Sequence, residues 1–220
     1  MDNFWIVLVL FPLASYVVGS IPTGVLIARS RGVDLRKVGS GNTGATNVGR
    51  VLGRKWGLLC FAIDTFKGAL PVAIAGLLLS AGPGDYVKQV AWLLVGFATI
   101  MGNMFSIFMG FRGGKGVATA LGVLLGTFPY FTWAGLTALG VWLAVTYISR
   151  YVSVGSIVAV TVFAPLVIAF NWQHWTGIWP MVAFGATMAT LIVIRHRANI
   201  GRLIKGTENK IGTKKVASSQ

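Results

Sequence analysis

Two short polar segments carry most of the side chains that could bind an anion. The first, residues 38–50, reads VGSGNTGATNVGR. Its glycines allow tight turns that expose backbone N–H groups, and clustered N–H donors beside a cation suit phosphate oxygens. We therefore take the following residues as candidate phosphate ligands: Ser40, Asn42, Thr46, Asn47 and Arg50. A flexible, solvated turn is the alternative interpretation of this segment.

The second segment, residues 110–119, reads GFRGGKGVAT. It resembles a Walker A loop only superficially, because Met109 stands where that motif needs its first glycine. A Gly-rich turn that presents Lys115 at the start of a helix would still attract anions. Arg112, Gly114 and Lys115 are therefore candidate ligands, and a tight turn whose charges only set topology is the alternative.

His196 and Asn199 are three residues apart and would share one face of a helix that continues past the last apolar segment. Arg195, Arg197 and Arg202 surround them, so a stop-transfer signal is an equally simple interpretation. Because the chain has only five acidic residues, no nucleophile elbow and no loop carboxylate pair, we expect catalysis by alignment and cationic stabilisation.

Asp64 and Lys67 lie inside an apolar segment, where lone charges cost several kcal/mol. Residues three apart share a helix face, so we expect them to pair. We assign them a supporting role; a purely structural ion pair is the alternative.

The elements that must position these residues are membrane helices. Hydrophobic residues make up 55% of the 220-residue chain and charged residues only 11%, far below the usual content of a soluble domain. The apolar stretches predict an all-α integral membrane protein of one domain, residues 1–220, with seven spans. Pro129 divides the stretch from Val117 to Ile148 into two helices, the first of them short. The predicted spans are 4–28, 56–80, 89–109, 117–130, 131–148, 154–171 and 177–194.

The distribution of Lys and Arg residues predicts how the chain is oriented in the membrane. With the N-terminus outside and the C-terminus in the cytoplasm, 17 of the 19 Lys and Arg residues face the cytoplasm. The net charge of +14 is then the ordinary positive-inside bias, and nucleic-acid binding is disfavoured. The tail of about 212–220 is expected to be disordered, with Lys214 and Lys215 near anionic lipid.

The motifs together resemble the PlsY family, the acyl-phosphate:glycerol-3-phosphate acyltransferases of bacterial phospholipid synthesis. The resemblance covers nearly the whole chain and rests on these segments: 19–24, 39–50, 64–68, 111–119, 150–153, 196–203 and 206–210.

The resemblance implies a seven-helix enzyme of the bacterial inner membrane whose site faces the cytoplasm. It would transfer a fatty acyl group from acyl phosphate to the sn-1 hydroxyl of glycerol 3-phosphate, giving lysophosphatidic acid and phosphate. It implies catalytic roles for Ser40, Arg50, Lys115 and His196, and adds Ser153 to the substrate-binding residues. Neither a cofactor nor a metal is expected, the partners are the two substrates and membrane lipids, and the protein is expected to be a monomer.

The sequence departs from the family pattern at Asn103, where members commonly have His, and at Ser106, often Pro. Asn is no general base near neutral pH. We therefore expect a substrate phosphate, rather than a side chain, to accept the proton. A transporter of phosphorylated metabolites and a non-catalytic lipid-binding scaffold are the rival functions; a transporter would predict an inverted repeat, which the sequence lacks.

Overall fold

The computed structural model describes residues 2–211, with side chains from residue 4 onward, and in this part of the chain the regular structure is helical. The predicted tail at 212–220, with Lys214 and Lys215, lies outside the described residues. The helices are α1 Asp2–Trp5, α2 Phe11–Ser20, α3 Thr23–Arg29, α4 Ala45–Leu52, α5 Arg54–Leu79, α6 Tyr86–Met104, α7 Val117–Gly126, α8 Thr132–Ser149, α9 Val152–Phe170, α10 Trp179–Arg195 and α11 Arg197–Ile204. A π-helical turn, Ile6–Leu10, joins α1 to α2.

Within the described residues, six segments are long and apolar enough to cross a membrane. They match six of the seven predicted spans within about three residues. They are Ile6–Arg29, Arg54–Leu79, Tyr86–Met109, Thr132–Ser149, Val152–Phe170 and Trp175–Arg195.

The seventh predicted span, 117–130, is only partly helical. The predicted division is present, because α7 ends at Gly126 and α8 begins at Thr132, on either side of Pro129. With ten residues, however, α7 is only about 15 Å long and does not by itself match a hydrocarbon core of about 30 Å. Among the described residues six helices are thus long enough to span and a seventh is short, so the seventh span stays a prediction.

The helix of the first span is interrupted in its C-terminal half, which the sequence analysis did not predict. Helix α2 ends at Ser20 and α3 starts at Thr23, and Pro22 between them has no N–H to continue the ladder. The residue before a proline is pushed out of the helical region, and Ile21 has ψ 117°. The break exposes the carbonyls of Ser20 and Ile21, which accept hydrogen bonds from Ser106 and Lys67.

Helix α7 packs closely against α5 in the centre of the bundle. Gly122 lies so near the Thr65 carbonyl, and Gly68 so near the Thr119 carbonyl, that a Cβ at either glycine would overlap the opposite backbone. Small residues permit this backbone approach between membrane helices. These contacts fix the position of α7 along α5, and the N-terminus of α7 lies beside the polar loops.

Candidate active site

A polar cavity lies where the N-termini of α4 and α7 meet. Gly44, Ala45 and Thr46 line it from the first loop, and Gly116, Val117 and Ala118 line it from the second. The first N–H groups of a helix have no partner within the helix, and its dipole places partial positive charge there. The cavity is therefore built to hold negative charge, even before its cationic side chains are considered.

Most of the predicted site residues line this one cavity although they come from five separate segments. The predicted residues in its wall are Ser40, Asn42, Thr46, Asn47, Asp64, Arg50, Lys115, Ser153, His196 and Asn199. The structure thus brings the two anion loops and the His–Asn segment together, as one site requires.

Asn47 has a different role from the one predicted. Its Oδ1 accepts from the Ser40 N–H at 2.8 Å, and its Nδ2 donates to the carbonyls of Leu35 and Val38 at 3.3 and 3.1 Å. Both amide protons are therefore used within the protein, and the side chain is buried. Asn47 holds the first loop in shape and has no proton left to donate to a phosphate.

In the Gly-rich loop, the predictions that Gly114 and Arg112 bind substrate also need correction. The Gly114 N–H donates to the Asn103 carbonyl at 2.9 Å, so it is not available to a substrate. Arg112 is exposed and does not line the cavity, because the turn directs Lys115 inward and leaves the earlier arginine on its outer side. Arg195, which the sequence interpretation left without a role, holds the loop by donating to the carbonyls of Gly113 and Gly114.

A chain of hydrogen bonds connects Lys115 to a carboxylate. The Lys115 ammonium donates to Asn199 Oδ1, and Asn199 Nδ2 donates to Glu208 Oε1. Glu208 also accepts from Ser153 Oγ at 2.9 Å and from Arg202 Nε at 2.7 Å. The sequence predicts no role for Glu208, but the segment after α11 folds back and places this carboxylate in the cavity wall.

Glu208 fixes the direction of the Asn199 amide. Since a carboxylate only accepts hydrogen bonds, Asn199 must present its NH₂ group to Glu208 and its oxygen to Lys115. Glu208 is held in turn by the backbone next to it, where the Ile211 N–H donates to the Arg150 carbonyl at 2.8 Å. The segment that follows α11 is thus attached to the loop between α8 and α9.

Burial, neighbouring charges and hydrogen bonds shift the pKa values of Lys115, His196 and Glu208. Burial, followed by the nearby charges of Arg202, Arg50 and Arg195, outweighs Glu208 and lowers the pKa of Lys115 to about 8. Burial is also the main reason why the pKa of His196 falls to about 4. For Glu208, burial acts to raise the pKa, but hydrogen bonds from Asn199, Arg202 and Ser153 outweigh it and the pKa is lowered.

His196 is therefore neutral at physiological pH. Its Nδ1 lies 2.8 Å from the Ile192 carbonyl, and because a carbonyl can only accept, Nδ1 carries the proton. The other ring nitrogen, Nε2, then keeps a lone pair. His196 lines the cavity, so it can accept a hydrogen bond from a substrate hydroxyl there.

Asp64 and Lys67 pair as predicted, with Lys67 Nζ 2.7 Å from Asp64 Oδ1 and both side chains buried. Lys67 also donates to the Ile21 carbonyl at 2.9 Å, at the break in the first span. Only Asp64 reaches the cavity wall. The pair therefore joins α5 to the broken helix directly beside the site.

Asn103, at which the sequence departs from the family pattern, lines the cavity. Its carbonyl holds the Gly-rich loop through Gly114, which is a backbone role that any residue could fill. Other wall residues gave no signal in the sequence, because a Phe, a Trp or a Ser inside an apolar run is usually a packing residue. These are Phe61, Trp142 and Ser156.

Phe61, Val117 and Trp142 also line an apolar groove that continues from the polar cavity between α7, α8, α9 and α10. The site therefore has a cationic end and an apolar end, as an amphiphilic ligand would need. The fold and the site define a multi-pass membrane protein in which a cavity lined by cationic and polar side chains opens into an apolar groove.

Comparison with known proteins shows to which family of this class the chain belongs. The sequence profile of the family described as glycerol-3-phosphate acyltransferase matches residues 9–206. The glycerol-3-phosphate acyltransferase of Geobacter sulfurreducens is 43% identical over 197 residues, which is 89% of this chain and 93% of that protein. That of Aquifex aeolicus is also 43% identical, over 89% of this chain and 95% of the relative.

The fold agrees with a solved structure. The crystal structure of PlsY, an integral membrane glycerol 3-phosphate acyltransferase, in its glycerol 3-phosphate form has a TM-score of 0.78 and 40% identity, covering 93% of this chain and 95% of that one. Its lysophosphatidic acid form matches with a TM-score of 0.77. The chain belongs to the PlsY family of glycerol-3-phosphate acyltransferases, an enzyme family, and the predicted resemblance is confirmed.

Proposed function

We propose that this protein transfers a fatty acyl group from acyl phosphate to the sn-1 hydroxyl of glycerol 3-phosphate, giving lysophosphatidic acid and phosphate. The observation that carries the proposal is the continuity of a cationic cavity, faced by two helix N-termini, with an apolar groove. An acyl phosphate has one phosphate and one apolar chain, and the acceptor brings a second phosphate. The glycerol 3-phosphate and lysophosphatidic acid forms of the related PlsY support the same acceptor and product.

In the proposed reaction the acceptor hydroxyl attacks the acyl carbonyl carbon, the new C–O bond forms, and the bond from the acyl carbon to the phosphate oxygen breaks. Lys115 and Arg50 stabilise the negative charge that develops on the phosphate and the carbonyl oxygen. Ser40, Thr46, Ser153 and Asn199 complete the binding surface, while Asp64 and Lys67 support it from behind.

We assign the proton of the attacking hydroxyl to a phosphate oxygen. His196, with a pKa of about 4, is a poor base near neutral pH. The second pKa of a phosphate monoester is about 6, so a phosphate oxygen is more basic by about two units. His196 Nε2 instead accepts a hydrogen bond from the hydroxyl and orients it. Glu208 is not assigned as the base because three donors hold its carboxylate.

We further propose that the short α7 and the chain beside it together cross the membrane, which makes seven crossings with the N-terminus outside. Six crossings would place both termini on one side and move the basic C-terminal segment to the outer face, against the positive-inside rule. With seven, the cavity faces the cytoplasm. We also propose that the protein acts as a monomer, because residues 40–209 of this chain supply both the cationic cavity and the apolar groove that continues from it.

The purified protein in lipid bilayers tests the function directly. We expect release of phosphate from acyl phosphate only when glycerol 3-phosphate is present, with an equal amount of lysophosphatidic acid formed. Movement of glycerol 3-phosphate across sealed vesicles without product would favour a transporter. Binding of acyl phosphate without turnover would favour a lipid-binding scaffold.

The lowered pKa of Lys115 predicts a basic limit to activity. Above about pH 8 the free enzyme loses the ammonium charge that attracts phosphate, so we expect kcat/KM to fall about tenfold per pH unit. Arg keeps its charge up to about pH 12, so in Lys115→Arg the residual activity should not fall between pH 8 and 9.5. Lysophosphatidic acid is the product to measure, because acyl phosphate also hydrolyses without enzyme. A Lys115→Arg profile that falls as the wild type does would contradict the assignment.

A further inference from the structure

The apolar groove has a fixed length. Val117 and Trp142 stand at its polar end, where groove and cavity share their walls, and Leu124 and Gly135 stand at the other end of the same two helices. Val117 and Leu124 on α7 are seven residues apart, as are Gly135 and Trp142 on α8. Seven residues of helix span about 10 Å at a rise of 1.5 Å per residue. Ile192 and Gly185 on α10 line the groove with the same separation. Residues on α7, α8 and α10 therefore all give the same length for the groove, about 10 Å.

An aromatic cluster closes the far end. Phe163 lines the groove and is 4% exposed, and behind it Phe131 is fully buried. The two rings meet edge to face at 5.2 Å, and Phe131 stacks on Phe184 at 6.1 Å. Gly185 lies against Phe163, and a Cβ there would come within 3.0 Å of the ring. Phe163 is thus packed between Phe131 behind it and Gly185 beside it.

Ala159 stands one helical turn nearer the cavity than Phe163 and lines the same groove. Its methyl group leaves the groove open above the Phe163 ring. Four residues of α9 separate the two positions, which is about 6 Å. A larger side chain at Ala159 would therefore move the end of the groove by about 6 Å towards the cavity.

We propose that Phe163 determines how much of an acyl chain the enzyme holds, with Ala159 keeping the space above it open. The inference rests on the proposed function, since the occupant is the chain of the acyl donor, whose phosphate binds in the adjoining cavity. An extended chain advances about 1.3 Å per carbon, given C–C bonds of about 1.5 Å. The groove therefore holds about eight carbons, and any further carbons turn aside into the lipid.

The test compares Ala159→Leu with wild type on butanoyl, octanoyl, dodecanoyl and hexadecanoyl phosphate, with glycerol 3-phosphate saturating. The ratio of variant to wild-type kcat/KM at each chain length removes the effect of membrane partitioning. We expect a ratio near 1 for butanoyl phosphate, which does not reach Ala159. The ratio should be about 0.1 or lower from octanoyl phosphate onward, because hydrophobic pockets discriminate misfitting methylenes by about tenfold or more.

Thr161→Leu is the matched control, because Thr161 lies on the same helix but is exposed and absent from the groove wall. Its ratio should stay near 1 at every length. Gly185→Ala gives a second, smaller change by pressing on the Phe163 ring, and it should lower the ratio for octanoyl phosphate but not for butanoyl phosphate.

An Ala159→Leu ratio that is the same at all four chain lengths, whether near 1 or uniformly low, overturns the role of Phe163 and Ala159 and leaves the proposed function intact. A wild-type protein that transfers none of the four acyl groups overturns the proposed function itself, and this inference with it.

Discussion

Lys115→Ala is expected to lower kcat/KM for glycerol 3-phosphate acylation by about a thousandfold, the upper end of what one oxyanion donor contributes. The ammonium stands among the charges of Arg50, Arg195, Arg202 and Glu208 and donates to Asn199. Its removal takes away a positive charge at the N-terminus of α7, where the phosphate must bind. It also leaves the Asn199 oxygen without its partner.

The effect should be on function rather than on folding. Lys115 contacts the protein mainly through one neutral oxygen, so the thermal unfolding midpoint in lipid or detergent should change little. Lys37→Ala is the control, because Lys37 is also a basic loop residue but is exposed and lies outside the cavity wall. It should retain activity within about twofold, since exposed ion pairs contribute little. A folded Lys115→Ala variant with more than a tenth of wild-type activity would show that another group carries the charge.

Lys67→Met is expected to destabilise the protein by about 3–5 kcal/mol, the cost of breaking a buried ion pair and leaving one charge uncompensated. The substitution strands Asp64 inside the bundle and removes the bond from Lys67 to the Ile21 carbonyl. For a chain of about this size each kcal/mol corresponds to roughly 2–4 °C, so the unfolding midpoint should fall by about 10 °C.

The double variant Asp64→Asn, Lys67→Met separates charge from packing. It removes both charges, so most of the lost stability should return, apart from about 1 kcal/mol for the lost hydrogen bond to the Ile21 carbonyl, which still accepts from the Thr23 N–H. Lys88→Met is the matched control, because Lys88 pairs with Asp85 at the same spacing but at 3.7 Å and half exposed. It should cost less than about 1 kcal/mol. If Lys67→Met unfolds at the wild-type midpoint, the pair is not a structural link between α5 and the broken helix.

The long membrane helices and the loops that carry the site could be predicted from the sequence because their signals are local. A run of apolar residues is visible in any window of about 20 residues, and Pro129 marks the division between α7 and α8 within its own segment. The pairing of Asp64 with Lys67 follows from helical spacing alone. The groups of hydrogen-bond donors around Ser40 and Lys115 can likewise be recognised from the composition of their own short segments.

The tertiary structure decided which of these donors remain free. Asn47 and Gly114 have the right chemistry, but neighbouring backbone groups already use their N–H donors, and Arg112 lies on the outer side of its turn. Glu208 enters the site because the chain folds back over α9, 55 residues away from its partner Ser153. The groove forms only where α7 to α10 pack together. Periodicity and composition describe a segment, whereas burial and hydrogen-bond partners depend on segments far apart in the sequence, and only the packed bundle specifies them.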